Sequence, residues 1–140
     1  MNRLIQITDL HFGENPNAII ESINPVKSFS AILDEIENSD FRDAPILLSG
    51  DLSGCDNAGS YQMLNKMLFN REKEIIWLPG NHDDLQEMNT HLTHYPRLSS
   101  LRLNNGSLIT LNSSKAKSAV GFIDHHELLK LDFELSKVRS

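Results

Sequence analysis

Apolar residues follow two different spacings in the first part of the chain. Residues 4–7, 45–48 and 74–78 are short, nearly continuous apolar runs, as expected for buried strands. Between these runs, over residues 26–36 and 61–68, apolar positions recur every three or four residues, as on one face of a helix. Strand, helix, strand, helix, strand is the order of a parallel sheet with crossover helices. The pattern therefore predicts an α/β fold built from βαβ units.

Polar residues predict where the helices begin and end. Asn24 and Pro25 indicate the start of the first helix, since asparagine caps helices and proline suits the first helical turn. The second helix is predicted over residues 58–69. A shorter third helix is predicted over residues 84–92, after the last of the three apolar runs.

The remaining part of the chain predicts a hairpin and a last helix. Residues 98–103 and 107–111 flank Asn104-Asn105-Gly106, and Asn-Gly is a strong signal for a hairpin turn. Residues 124–137 have the spacing of an amphipathic helix. Its apolar face contains Leu128, Leu131 and Leu135, and its expected N-cap is Asp124.

Composition limits the class of protein and its partners. The 140 residues, 39% of them apolar and 23% charged, suit one ordinary globular domain over residues 1–140. The net charge of −6 disfavours nucleic acid and anionic membranes as partners. Cys55 is the single cysteine, which excludes an internal disulfide. No signal peptide or apolar run of membrane-spanning length is visible, so a cytoplasmic location is expected.

Each of the three predicted strands is followed by side chains that can bind a metal ion. Asp9 and His11 follow the first strand, Asp51 follows the second, and Asn81, His82 and Asp83 follow the third. These loops should converge, because ligands collect at the carboxyl ends of parallel strands. Carboxylate and amide oxygens with imidazole nitrogen suit Mn, Fe or Zn. Strand alternation would place Asp9 and His11 on the same side and bury Leu10.

Each of these short motifs also has an ordinary structural interpretation. Asp-x-His occurs by chance, Gly50-Asp51 is a common loop dipeptide, and Gly80-Asn81-His82-Asp83 could be a turn that caps a helix. The three motifs occur in order, however, and each directly follows a predicted buried strand. Turns alone do not explain that arrangement, so the sequence favours a metal site.

The same three motifs resemble the first three motifs of the calcineurin-like metallophosphoesterases. Their surroundings, QITDLHF at residues 6–12, SGDLS at 49–53 and WLPGNHD at 77–83, are most similar to the class III cyclic nucleotide phosphodiesterase branch. The resemblance implies the N-terminal half of a metallophosphoesterase β-sandwich flanked by helices. It also implies hydrolysis of a small phosphodiester, such as a cyclic nucleotide, by water activated between two divalent metal ions (Mn, Fe or Zn).

The resemblance implies a role for each matching residue. Asp9 and His11 would hold the first metal, and Asp51 would bridge both metals. Asn81 would bind the second metal. His82 would lie beside the substrate phosphate, where it stabilises the transition state or protonates the leaving oxygen.

The family's later ligands, a histidine after a further strand and a Gly-His-x-His loop, are absent from this sequence. The remaining histidines are His91, His94, His125 and His126. His91 and His94 would share a helix face, where solvation is the simpler interpretation than metal ligation. His125 and His126 are adjacent on a helix and would point in different directions.

A further departure concerns the residue that orients the motif histidine. Related enzymes often carry Asp or Asn three residues after the bridging Asp, and this chain has Gly54 there. Asp56 or Asp83 could take that role.

These departures leave three functional hypotheses open. The first is a metal-dependent phosphodiesterase. The second is a truncated, catalytically silent module that binds one metal or none and self-associates. The third is a homodimer in which ligands are donated across the interface. Because the chain would supply mainly one of two sheets, one sheet face is expected to be uncovered, leaving an apolar patch through which two copies could pair.

Overall fold

The computed structural model of the protein describes residues 3–54, 58–69, 71 and 74–138. Within these residues it contains four helices and five strands. In chain order they are β1 (Ile5–Ile7), α1 (Pro25–Glu37), β2 (Ile46–Ser49), α2 (Ala58–Leu68), β3 (Ile75–Leu78), α3 (Leu85–His91), β4 (Ser100–Leu103), β5 (Gly106–Ile109) and α4 (His125–Val138). None of the helices in this described part is long and apolar enough to cross a membrane.

The first three strands form a parallel sheet in the order β1-β2-β3. Ile5 pairs with Ile46 in β2, and Leu48 in β2 pairs with Trp77 in β3. Helix α1 connects the first pair of strands and α2 connects the second pair. The predicted α/β fold with βαβ crossovers is therefore confirmed, and all three strands end at the same edge of the sheet.

The start of α1 shows why the local sequence forms a helix at this point. The Asn24 side-chain oxygen accepts a hydrogen bond from the Lys27 backbone N–H at 2.8 Å, and Pro25 occupies the first turn. This cap satisfies a donor that the helix cannot satisfy internally. The apolar face of α1 then buries Phe29 and Leu33 in the core beside the sheet. The predicted cap is confirmed, and the apolar face is confirmed for Phe29, Leu33 and Ile36, whereas Ile32 is 43% exposed.

Strands β4 and β5 form the predicted hairpin as a separate two-stranded sheet. Leu103 pairs with Gly106, which makes Asn104 and Asn105 the two-residue turn and Gly106 the first residue of β5. The Asp124 carboxylate accepts a hydrogen bond from the Glu127 backbone N–H at 2.8 Å and so caps α4, as predicted.

The expected bare face of the parallel sheet is not found. Leu47 and Ile76 point to the side opposite the main core and are only 7% and 0% exposed. Six of the twelve large exposed apolar side chains of the described residues lie before and along α4. They are Val120, Phe122, Leu128, Leu129, Phe133 and Leu135. The other six lie on α1, beside it or after α2, and they are Ile19, Ile20, Ile23, Ile32, Phe41 and Phe69. The last helix and its approach therefore form one of the uncovered apolar surfaces of the described residues.

Helix α4 has this surface because its polar side packs against the hairpin region. Glu134 accepts a hydrogen bond from the Ser100 hydroxyl at 2.7 Å, and Glu127 accepts one from the Asn112 backbone N–H at 3.0 Å. Both glutamates are buried. Because the glutamate side faces the hairpin region, Leu128 and Leu135 of the predicted apolar face are exposed, whereas Leu131 is half-buried.

Candidate metal centre

The loop after β1 and the loop after β2 lie side by side. The Asp9 backbone N–H donates to the Gly50 carbonyl at 3.0 Å, and the His11 N–H donates to the Asp51 carbonyl at 2.9 Å. These hydrogen bonds fix the relative position of the two loops. The convergence predicted from the parallel order of the strands is therefore observed.

Asp9, His11 and Asp51 have left-handed backbone conformations, with φ of 58°, 47° and 52°. Such angles are uncommon outside glycine and store strain of about 1 kcal/mol or more at each residue. We expected Asp9 and His11 to lie on the same side because residues alternate along a strand. That explanation is wrong, because β1 ends at Ile7, before both residues. Leu10 is buried, as expected.

The three side chains form a compact group of metal-competent donors. His11 Nε2 lies 3.6 Å from Asp9 Oδ1 and 3.9 Å from Asp51 Oδ2. One donor atom from each residue lies within 4.8 Å of the other two. Ligand atoms about 2.1 Å from one ion lie roughly 3–4 Å apart, so small side-chain adjustments would seat a divalent cation. The donor set of one imidazole and two carboxylates fits Mn, Fe or Zn.

Glycine at position 80 makes room for the Asp51 carboxylate. A Cβ atom built on Gly80 would lie 2.0 Å from Asp51 Oδ1, closer than any real contact. The backbone N–H of His82 donates to the same oxygen at 3.1 Å. Oδ1 is thus directed toward the loop after β3, while Oδ2 faces His11. The Asp51 carboxylate therefore connects the loops after β1 and β3.

Asp83 joins the loops after β2 and β3 from the interior of the protein. Its buried carboxylate accepts hydrogen bonds from the backbone N–H groups of Leu52, Ser53 and Gly80 and from the Tyr61 hydroxyl, at 2.8 to 3.2 Å. These donors belong to the loop after β2, the loop after β3 and helix α2. The sequence hypothesis that Asp83 orients the His82 ring is wrong, because the carboxylate faces the interior and joins these elements.

Gly54 stands where related enzymes often carry Asp or Asn. A Cβ atom there would lie 3.2 Å from the His11 carbonyl oxygen, and the Gly54 N–H donates to the Phe12 carbonyl at 3.0 Å. A larger residue would press on the backbone of a candidate ligand. The alternative orienting residue, Asp56, lies outside the described residues.

His82 and Asn81 border the group of three from the loop after β3. The His82 side chain is exposed, and its ring lies edge-on to the His11 ring with a centroid distance of 5.2 Å. Asn81 is half-buried and lines a cavity of about 310 Å³ together with Asp51. All five predicted site residues therefore lie at the same edge of the sheet.

The other histidines lie elsewhere. His91 pairs with Glu87 in α3, with a distance of 3.2 Å between Nε2 and Oε2. His94 follows the end of α3 and packs edge-on against Phe69, so the predicted shared helix face is wrong. His125 and His126 are exposed at the start of α4. Among the described residues, Asp9, His11 and Asp51 form the one cluster of three His, Cys or acidic side chains with metal-binding spacing.

Comparison with known proteins finds cyclic nucleotide phosphodiesterases similar to this chain. A 3′,5′-cyclic-nucleotide phosphodiesterase of Nostoc sp. is 31% identical over 134 residues, which cover 94% of this chain and 50% of that protein. The 3′,5′-cyclic adenosine monophosphate phosphodiesterase CpdA of Vibrio vulnificus is 30% identical over 137 residues, covering 95% of this chain and 50% of that protein. The chain thus spans about half the length of these curated relatives.

The match to a family model extends well beyond the three motifs along the chain. The model of the calcineurin-like phosphoesterases matches residues 2–139, nearly the whole chain. The matched region includes the parallel sheet, the ligand-bearing loops and the elements that follow them. The resemblance read from the motifs is therefore confirmed, and the chain belongs to the calcineurin-like phosphoesterase family.

Proposed function

We propose that this chain carries the metal-binding half of a phosphodiester hydrolase. The observation that carries the proposal is the cluster of Asp9, His11 and Asp51 at the carboxyl edge of a parallel sheet. The relatives named above are cyclic nucleotide phosphodiesterases, which supports a small phosphodiester of that kind as the substrate. Residues 1–140 would form one structural unit of such an enzyme, located in the cytoplasm.

The candidate ligands divide between two metal positions. Asp9 and His11 would hold the first ion, and Asn81 would hold a second. Asp51 would lie between them, since its two oxygens face opposite loops. Bound divalent ions would polarise the phosphoryl group and lower the pKa of a coordinated water.

The chain's own residues would position and protonate the substrate. The exposed His82 imidazole lies beside His11, where it can reach a phosphoester bound at the cluster. An imidazole N–H can act as a general acid, so His82 would donate a proton to the leaving oxygen. The hydrogen bond from its backbone N–H to Asp51 fixes the loop that presents this ring.

A second candidate is a truncated, catalytically silent module that binds one metal or none and pairs with another copy. The exposed apolar side of α4 supports it, because that side could be buried between two chains. In a third arrangement, a homodimer would complete the site with ligands donated by a partner copy.

Hydrolysis of bis(p-nitrophenyl) phosphate in the presence of manganese tests the enzyme proposal. We expect turnover by the wild-type chain, and loss of turnover to background in Asp51→Asn. Asp43→Asn serves as the matched control, because Asp43 is exposed and precedes β2, whereas Asp51 follows the opposite end of that strand. Turnover that persists in Asp51→Asn would refute the assignment of the site. Absence of turnover with manganese, iron and zinc would favour the silent module.

A further inference from the structure

Residues 112–121, which we name the strap, lie against the metal centre without contributing any proposed ligand. The two ends of the strap are close, since the Phe122 N–H donates to the Ser113 carbonyl at 2.8 Å. Its tip is a turn closed by a hydrogen bond from the Ser118 N–H to the Lys115 carbonyl at 3.0 Å. The Lys117 N–H donates to the Asn81 carbonyl at 2.9 Å, which fixes the tip to the loop after β3.

The strap forms one wall of the cavity that contains Asp51. The cavity has a volume of about 310 Å³, which is within the size range of small-molecule sites. The opposite wall consists of the ends of the parallel strands and their loops, including Gly50 and Asn81. On the strap side the polar lining residues are Ser113, Ser114, Lys115 and Ser118. A molecule in this cavity would contact Asp51, Asn81 and the strap together.

Lys115 is the only cationic side chain among the described residues that line this cavity. It is exposed, and the ion pairs of the described residues include none from its ammonium group. Lys130 and Lys137 differ, since they are paired with the buried Glu127 and Glu134 at 2.8 and 2.9 Å. The ammonium group of Lys115 is therefore available to a ligand.

The negative charge around the cavity makes a cationic side chain favourable for binding an anion. Asp9 and Asp51 both present carboxylates near the cavity, and the whole chain carries a net charge of −6. An anionic substrate would be repelled by this field wherever the metal charge does not compensate for it. A lysine ammonium on the facing wall opposes that repulsion and supplies three hydrogen-bond donors.

We propose that Lys115 binds the anionic phosphoryl group of the substrate and so selects phosphoesters over neutral compounds at this site. The assignment rests on the proposed function for the identity of the substrate. The serine hydroxyls of the strap provide neutral donors and acceptors beside the ammonium group, suited to the uncharged part of the same molecule.

Binding of adenosine 5′-monophosphate and of adenosine tests this assignment, because the two ligands differ only in the phosphoryl group. Isothermal titration calorimetry would use the full chain with manganese present. Lys115→Gln should bind the monophosphate about tenfold more weakly, as expected for loss of a hydrogen bond to a charged group. Its affinity for adenosine and for manganese should be unchanged. Lys66→Gln on α2 is the control, since Lys66 is exposed and does not line the cavity.

Three results would overturn the assignment. In the first, the wild-type chain binds the monophosphate no more tightly than adenosine. In the second, Lys115→Gln binds the monophosphate as tightly as wild type does. In the third, the affinity of Lys115→Gln for adenosine falls as much as its affinity for the monophosphate. Thermal unfolding of each variant shows whether the fold is retained. Failure of the proposed function is a separate outcome. If monophosphate binding depends on Lys115 but no phosphodiester is hydrolysed, the role of Lys115 is supported and the proposed hydrolase function is contradicted.

Discussion

Asp83 shows how much of the arrangement of the candidate metal centre depends on one buried side chain that is not itself a proposed ligand. Its carboxylate accepts hydrogen bonds from three backbone N–H groups and from the Tyr61 hydroxyl. Because these donors come from two ligand-bearing loops and α2, their loss would release the loops from one another. A buried carboxylate with several donors is costly to replace, since each donor would be left unsatisfied.

We expect Asp83→Asn to lower the free energy of unfolding by about 3 kcal/mol, because an amide N–H₂ group would face backbone donors. Urea unfolding followed by circular dichroism measures the change. Asp43→Asn provides the matched control, since the Asp43 side chain is 89% exposed and should change stability little. Equal stability of the two variants would contradict the structural role of Asp83.

Gly80 offers a test of the candidate metal centre that leaves every proposed ligand residue unsubstituted. In Gly80→Ala the added methyl group would lie 2.0 Å from Asp51 Oδ1 and 2.4 Å from the Asp51 backbone nitrogen, so the carboxylate and the backbone of Asp51 must both move. We expect manganese affinity to fall at least about tenfold, a typical effect of displacing a ligand's supporting contacts. In Gly106→Ala the added methyl group meets no atom within 4 Å, and manganese affinity should be retained. Calorimetric titration with manganese compares the two, and equal affinities would count against Asp51 as a ligand.

The sequence predicted that these side chains converge, but it did not predict their local geometry. Parallel strand order was sufficient to predict that Asp9, His11 and Asp51 converge, because the edge of the sheet is set by topology. Their left-handed backbone could not be predicted, since only glycine marks such a position in a sequence. The inward direction of Asp83 was equally hidden, because an Asp after a Gly-Asn-His turn can face solvent or the interior.

Among the elements, α4 is the one whose packing the sequence pattern did not specify. The spacing of Leu128, Leu131 and Leu135 correctly predicted an amphipathic helix. Periodicity identifies two opposite sides of a helix, but it does not say which side faces the rest of the molecule. Here the ionic and hydrogen-bonding groups of the hairpin region meet the glutamate side.

The environment of Glu127 makes this packing sensitive to acid. Burial alone would raise the pKa of its carboxyl. Hydrogen bonds from the Lys130 ammonium and the Asn112 N–H, with the charges of Lys130 and Arg97, more than offset burial and hold that pKa below its usual value. A lowered pKa means that the unfolded chain binds protons more readily. The contribution of Glu127 is thus complete above its ordinary pKa and is lost as the pH falls below it.

We expect Glu127→Gln to reduce stability at pH 7 by roughly 1 kcal/mol, a value that allows for solvent screening. The loss of stability on acidification should be smaller in the variant than in wild type. Urea unfolding at several pH values between neutral and acidic measures both effects. Glu35→Gln on the exposed side of α1 should keep the wild-type pH dependence. An unchanged acid profile in Glu127→Gln would contradict the proposed role of this carboxylate.

For the whole molecule, the α/β architecture could be predicted because each strand and helix carries a clear local signal. The position of the hairpin and α4 could not, since it depends on contacts between distant polar groups such as Ser100 and Glu134. The exposed apolar surface of α4 is the consequence. It includes Leu128, Leu129 and Phe133, at 49%, 56% and 60% exposure.

This surface should make the isolated chain self-associate, because contiguous apolar patches are rarely left exposed on monomers. Analytical ultracentrifugation over a range of protein concentrations should show a mass that rises with concentration. The double variant Leu128→Lys and Phe133→Lys should shift the chain toward monomer. Ile32→Lys, which changes an exposed apolar residue on α1, is the control and should not do so. A monomer at every concentration in the wild-type chain would contradict this expectation.

The most direct test of the account is the location of a bound metal ion. Crystals grown with manganese would be measured for anomalous scattering near the manganese absorption edge. We predict an anomalous peak between the side chains of Asp9, His11 and Asp51, which should disappear in crystals of Asp51→Asn. A peak only at other sites, or none at manganese concentrations that support binding in solution, would contradict the assignment of the metal centre.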